Sequence, residues 1–239
     1  MMSLFGLAHR NRQPEIMDQP GLDPAEHAAA LRGIARINRF SGSVGILWRP
    51  LCRLAKANAG RPLRILDIAT GSGDNPIRLW QRFRRAGLPV ELAGADTSDV
   101  ALEQARARAA SAGAPIQFFP LNAVLDPLPR NFDVVTCSLF LHHLEEHEVI
   151  DLLRRMAEAT RQVVVASDLI RSRISYLLAY VGTRVLTRSP MVHFDGPCSV
   201  ASAFTIAEAR QMAMRAGMKN VRVDWRWPFR FLLQWQRIA

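Results

Sequence analysis

From about residue 62 the chain alternates short apolar runs with stretches that repeat apolar residues every three or four positions. Arg64-Ile65-Leu66-Asp67-Ile68 reads as a strand and runs directly into Ala69-Thr70-Gly71-Ser72-Gly73. Residues 76–86 read as a helix with proline in its first turn, where its missing amide does no harm. A strand is expected at 90–95, an alanine-rich helix capped by Ser98 at 98–112, and strands at 115–119 and 132–138. A helix at 145–159 and a further strand at Val163-Val164-Val165-Ala166 follow. Strands that alternate with helices imply parallel pairing through right-handed crossovers.

The two ends follow other patterns. Residues 24–58 read as helical with a break near Ser41-Gly42, and 171–187 as an inserted helix whose apolar stretch 174–186 packs as a cap. That stretch is too short to span a bilayer, but its basic flanks also suit a segment lying on a membrane surface. A loop is expected around 191–196 and a helix at 205–216. Val221, Val223, Trp225 and Trp227 then alternate with other residues, as do Phe229, Phe231, Leu233 and Trp235, which predicts a terminal antiparallel hairpin with Trp225, Trp227 and Trp235 in the sheet core. The expected architecture is a three-layer α/β sheet domain over 61–239, with helical cap material from residues 1–60 and from an insert at about 171–203.

Composition narrows the function. The 239 residues suit one domain with a cap, and 49 % hydrophobic and 22 % charged residues exclude a disordered chain. The opening MMSLFGLAHRNRQPE has too short an apolar stretch for a secretory signal. Three widely spaced cysteines, Cys52, Cys137 and Cys198, fit a reducing, cytoplasmic setting rather than a disulfide framework. The net charge of +10 is unevenly spread. Residues 1–61 carry 9 basic against 4 acidic side chains and 171–239 carry 11 against 3, whereas 62–170 carry 11 against 14. Such ends attract anionic substrates, anionic lipid or nucleic acid.

The strongest chemical signal is LDIATGSGD at 66–74, a strand end, a glycine turn and a helix start. Glycines let a ligand approach the backbone, and the first amides of the helix face it. Asp96 closes the next strand, where a carboxylate can accept both hydroxyls of a ribose. A dinucleotide fingerprint needs a third glycine where this chain has Pro76, and Asp74 opposes a pyrophosphate. Asp67 at the first strand's tip is expected to face the ligand, which suits a cationic sulfonium or ammonium group better than a nicotinamide cofactor.

These residues resemble the class I S-adenosylmethionine-dependent methyltransferases, whose first motif is acid-x-Gly-x-Gly-x-Gly. Here it reads Asp67-Ile68-Ala69-Thr70-Gly71-Ser72-Gly73, with Ala69 in place of the first glycine. The resemblance covers about residues 36–225. It implies a Rossmann-like, seven-stranded, mostly parallel sheet with helices on both faces and S-adenosylmethionine as cofactor. It implies cofactor contacts at Asp67, Ala69, Gly71 and Gly73 of the loop, and at Asp96 and Thr97 after the second strand. Asn122 and Ala123 stand where the family holds the adenine, with the Asn122 carbonyl oxygen available to the amino group, and Ser138 ends the fourth strand. Ile37-Asn38-Arg39-Phe40-Ser41 and Leu47-Trp48-Arg49 are similar to quinone-biosynthesis methyltransferases, which makes Arg39 a candidate for the methionine carboxylate.

An oxygen acceptor must lose its proton to a nearby base, and imidazole suits neutral pH. His143 at the exit of the fourth strand is one candidate. His193 with Asp195 is the other, since an extended loop would turn both to one side. His143 and His147 can share a helix face, but no third ligand is evident and no metal is expected. The expected function is methyl transfer to a small hydrophobic aromatic acceptor, an O-methylation of a phenol, quinol or polyketide-like ring. The alternatives are C-methylation of a quinone precursor and an RNA-binding methyltransferase suggested by the charge. The chain shows no glycine-aromatic RNA-binding signature and no base-methylation motif after the fourth strand, where Ser138-Leu139-Phe140-Leu141 stands.

Overall fold

The computed structural model describes residues 7–18, 21–40, 42–58 and 60–237. Seven strands form one sheet in the order β3-β2-β1-β4-β5-β7-β6. The strands are β1 (Leu63–Ile68), β2 (Val90–Asp96), β3 (Gln117–Pro120), β4 (Phe132–Ser138), β5 (Thr160–Leu169), β6 (Arg222–Arg226) and β7 (Arg230–Gln236). The first five pair in parallel. The β6–β7 hairpin is antiparallel and inserts β7 against β5. This is the mostly parallel α/β sheet with a C-terminal antiparallel pair that the alternation implied.

Alternation along β1 builds two cores. Leu66 and Ile68 pack on one face with Leu152 and Met156 of α5 (Glu146–Ala159) and Met212 of α8 (Ile206–Arg215). Leu63 and Ile65 pack on the other with Leu47 and Leu51 of α2 (Ser43–Ala57) and Leu79 and Phe83 of α3 (Asp74–Arg85). All of these are buried, and each contributes about 1.5–3 kcal/mol relative to an exposed side chain. A third cluster seats α4 (Asp99–Ala112) through Leu102 and Ala105 against Phe118 of β3. Ser98 caps α4 by accepting from the Ala101 amide at 3.2 Å. α1 (Pro24–Phe40) and α2 are separated at Gly42, whose φ of 66° ends one helix and starts the next.

Three expectations about the ends are corrected. The segment around 191–196 is not an extended loop. It is part of α7 (Pro190–Ser202), which Ser189 caps, and which carries Gly196 and Pro197 inside it. α6 (Arg173–Leu186) does not bury its apolar residues as cap packing. Its buried residues are Ser175 and Thr183, while Ile174, Leu177, Leu178, Val181 and Val185 are exposed. The cause lies at the crossing of the two helices. A Cβ on Gly196 would meet the Thr183 side chain, so the helices approach through small residues and the large ones turn out. Trp225 and Trp227 are exposed at 48 % and 69 % rather than in the sheet core. β6 is the edge strand of the sheet, and of its residues Val223 is the one buried in the core with Met212 of α8.

Candidate active site

The strand ends of β1, β2 and β4 open into a cavity of about 700 Å³. At one end it is walled by the glycine loop. Gly71 sits at φ 54°, with nothing within 4 Å of where a Cβ would lie, so the backbone is open to a ligand there. Its amide donates to Asp96 Oδ2 at 2.7 Å, and the Ser98 amide donates to Oδ1 at 3.0 Å. Two backbone donors therefore fix the Asp96 carboxylate at the cavity wall, with lone pairs left for a ligand. Gly73, at φ 74°, is the N-cap of α3, and Phe118 and Ala105 leave it no room for a side chain. Ala69 adopts φ 50°, a left-handed conformation that costs an alanine roughly 1–2 kcal/mol and a glycine almost nothing. That backbone is what the missing first glycine of the motif would serve.

Ala69, Gly71, Asp96, Thr97, Asn122, Ala123 and Ser138 all line this cavity. The Ser138 hydroxyl is buried without a hydrogen-bond partner, an acceptor and donor left open at the end of β4. Asp67 is placed differently from the expectation. It is buried beneath the loop rather than facing the cavity, and its oxygens accept from Thr70 Oγ1 at 2.8 Å and Thr136 Oγ1 at 2.6 Å. It holds the loop and does not present charge to a ligand. Asn122 also differs. Its carbonyl oxygen accepts from the Val124 and Leu125 amides at 3.0 and 3.2 Å, closing a turn, so it is not offered to an adenine amino group. Asp74 is paired with Arg108, which balances the charge that the sequence set against a pyrophosphate. Arg39 falls in α1, and its side chain lies outside the described residues.

Burial lifts the Asp67 carboxyl to about 6, a rise that the Thr136 and Thr70 hydroxyls oppose and the Asp96 charge assists. Its folded value lies above the ordinary 3.8, so the folded state binds this proton more tightly than the unfolded chain does. The resulting stabilisation is fully present below about pH 4 and is lost as the pH rises through about 6, on the order of 3 kcal/mol in all. Asp67→Asn is expected to remove that slope. Urea unfolding of both proteins between pH 4 and 7 reads it as a gap that changes across the window; a constant gap contradicts it.

The other end of the cavity is apolar, walled by Leu31, Ile34 and Ile37 of α1, Leu178 of α6, and Val192 and Val200 of α7. Residues 7–18 cross it as a strap. Arg10 donates to Ser202 O and Leu144 O at 2.6 Å, and Arg12 to His143 O at 2.8 Å. The Ile16 and Met17 amides donate to the Asp195 carboxylate at 2.8 and 3.1 Å. His143 and Asp195 line the cavity; His193 does not. In a helix, residues two apart point to nearly opposite sides, so α7 separates His193 from Asp195. His193 Nε2 instead meets Thr187 O at 2.9 Å.

Beside His143, a buried polar group joins three elements. His142 Nδ1 lies 2.7 Å from Asp168 Oδ1, and Nε2 lies 3.5 Å from Glu15 Oε1. Burial pushes the His142 imidazole down, but the Asp168 and Glu15 carboxylates more than offset this and hold it up at about 10. Glu15 and Asp168 were not legible as site residues. Glu15 lies 127 positions from its partner, in a segment with no motif around it.

A family profile covers the segment that contains the glycine loop, Asp96 and the end of β4. Residues 65–162 match a methyltransferase domain. A demethylmenaquinone methyltransferase of Deinococcus radiodurans is 35 % identical over 101 residues, which cover 42 % of this chain and 40 % of that relative. A ubiquinone biosynthesis O-methyltransferase of Thiobacillus denitrificans is 28 % identical over 204 residues, covering 78 % of this chain and 83 % of that one. Among solved structures, the S-adenosylmethionine-dependent methyltransferase SibL superposes with a TM-score of 0.66 at 19 % identity, covering 98 % of this chain and 65 % of SibL. At that identity the likeness shows the fold alone.

Proposed function

We propose that the protein transfers the methyl group of S-adenosylmethionine to a hydroxyl oxygen of a small hydrophobic aromatic acceptor, a phenol, quinol or polyketide-like ring. The observation that carries this reading is the single cavity with two chemically different ends: backbone amides, a fixed carboxylate and an orphaned hydroxyl at one, and aliphatic side chains under a strap at the other. The cofactor supplies an activated methyl group on a sulfonium. Asp96 holds the ribose hydroxyls, the Gly71 backbone allows close approach, Thr97 and Ala123 wall the adenine, and Ser138 satisfies its hydroxyl on the ligand. Arg39 remains the candidate for the methionine carboxylate. Leu31, Ile37, Val192 and Val200 hold the acceptor, and the strap excludes water, so the residues contribute alignment and desolvation. The acceptor's proton is drawn off at the His143 corner, because His193 faces away from the cavity. Relatives named for menaquinone and ubiquinone biosynthesis favour the same acceptor class.

The test is an acceptor series of phenols and quinols with S-adenosylmethionine, read by mass spectrometry and carbon NMR of the product. An O-methyl product supports the reading, a C-methyl product moves the transfer to a ring carbon, and no methylated product from any hydrophobic aromatic contradicts it. RNA as the acceptor predicts binding that weakens with added salt, and its absence at low salt removes that alternative.

The exposed stripe Ile174, Leu177, Leu178, Val181 and Val185 adjoins the cavity, since Leu178 and Gly182 of the same helix line it. Exposed Arg173, Arg184 and Arg188 surround the stripe. We assign this face weak contact with an anionic lipid surface, from which an apolar acceptor enters the cavity. Leu177→Glu with Val181→Glu is expected to lower co-sedimentation with phosphatidylglycerol vesicles by tenfold or more. Equal sedimentation of the variant, or none by the parent protein, contradicts the contact.

A further inference from the structure

We propose that Glu15, His142 and His143 form a binding site for one divalent transition-metal cation, zinc by its ligand chemistry, on the wall of the acceptor cavity. One ligand atom from each of the three side chains lies within 4.8 Å of the others, and Glu15 and His142 are buried. The separation of His142 Nε2 and Glu15 Oε1, 3.5 Å, is long for a charge-assisted hydrogen bond, which closes to about 2.7–2.9 Å. It matches the edge of a tetrahedral zinc sphere, roughly 3.3–3.5 Å for bonds of about 2.0–2.2 Å. Two imidazoles and one carboxylate suit zinc, whereas magnesium and calcium require oxygen ligands throughout.

The outer contacts point the same way. Asp168 Oδ1 lies 2.7 Å from His142 Nδ1 and holds that proton, while Nε2 faces Glu15, so a cation binding there displaces the Nε2 proton. Asp168 is itself held by the His142 and Leu169 amides at 3.2 and 2.7 Å. That carboxylate–histidine pair is the arrangement that orients a histidine on a metal. Ser199 Oγ donates to Glu15 Oε1 at 2.5 Å and fixes the third ligand. The two histidine rings lie 4.2 Å apart, which keeps the His143 ligand atom beside those of His142 and Glu15.

Three protein ligands leave the fourth position of a tetrahedral ion open, and Glu15, His142 and His143 all line the cavity. An acceptor hydroxyl bound there would be acidified as zinc-bound water is, to a pKa of about 7. Its O–H bond breaks on binding, the proton leaving to bulk water as the acceptor enters. The oxygen's electron pair then attacks the methyl carbon while the carbon–sulfur bond breaks and its electrons return to sulfur, leaving S-adenosylhomocysteine. This role rests on the acceptor reading above and assigns His143 its action through the cation. The binding itself does not depend on that reading.

The experiment titrates the full-length, tag-free protein, stripped with EDTA and dialysed, with Zn²⁺ by calorimetry and with Co²⁺ by visible absorption. One tight site per chain is expected. Glu15→Gln and Asp168→Asn should each weaken it by about 10–100-fold, the usual loss for a ligand's support. His147→Ala, an exposed histidine on α5, should leave it unchanged. Far-UV circular dichroism confirms that each variant is folded. No stoichiometric binding by the parent protein, or binding equal in Glu15→Gln, overturns the site. Full-rate methylation by the stripped protein overturns the cation's role in transfer. Tight zinc binding without methylation of any phenol or quinol leaves the site standing and instead contradicts the acceptor reading.

Discussion

His143→Ala is expected to lower turnover on a phenolic acceptor at pH 7 by about 10²–10⁴, the range for removing a group that handles the transferred proton. His143 lines the cavity at the strap end, between the exit of β4 and the start of α5. The loss should fall in kcat, with S-adenosylhomocysteine affinity preserved, because the glycine loop belongs to a different wall. His193→Ala is the matched control. Its ring meets Thr187 O outside the cavity, so the variant should keep turnover within a few-fold. Equal activity of the two variants on a phenol of ordinary acidity would remove His143 from the chemistry. An already acidic phenol should narrow the difference, since its proton is gone before it binds.

The second large effect belongs to Asp96. Asp96→Ala is expected to weaken S-adenosylhomocysteine binding by ~1.5–3 kcal/mol, the range for hydrogen bonds to a charged group. The carboxylate carries two jobs, since it fixes the Gly71 and Ser98 amides as well as facing the cavity. Asp96→Asn separates them. It keeps the shape and one acceptor oxygen but loses the charge and the second acceptor, and should fall between the parent and the alanine variant. Calorimetry reads both, and an unchanged affinity in Asp96→Ala would take the ribose contact away from this residue.

The middle of the chain was legible because its signals are local. The β1 run ends in a glycine turn, Ser98 caps α4, and α5 starts within a residue of the expected helix. The resemblance that these motifs carried also placed most cofactor-side residues at the cavity. The ends were less legible because their structure depends on what they pack against. α7 carries Gly196 and Pro197, which argue for a loop, yet the close approach of α6 requires the glycine. α6 has a helical apolar period, and no local rule says that the face of Ser175 and Thr183 is the buried one. Trp225 follows the alternation of a core strand but sits on the edge strand, half exposed. Asp67 and Asn122 stood in the right places by motif, while the partners of their side chains, Thr70, Thr136 and two turn amides, decide what they present. Glu15 was invisible, since only the strap's crossing of the cavity brings it to His142.

The most direct measurement of the central claim is calorimetric titration of the purified protein with S-adenosylhomocysteine, run beside a nicotinamide dinucleotide. The geometry of the glycine loop, Asp96 and Ser138 predicts one saturable site per chain for the adenosyl ligand, weakened in Asp96→Ala, and no saturable heat from the dinucleotide. Saturable binding of the dinucleotide with none of S-adenosylhomocysteine would contradict the account.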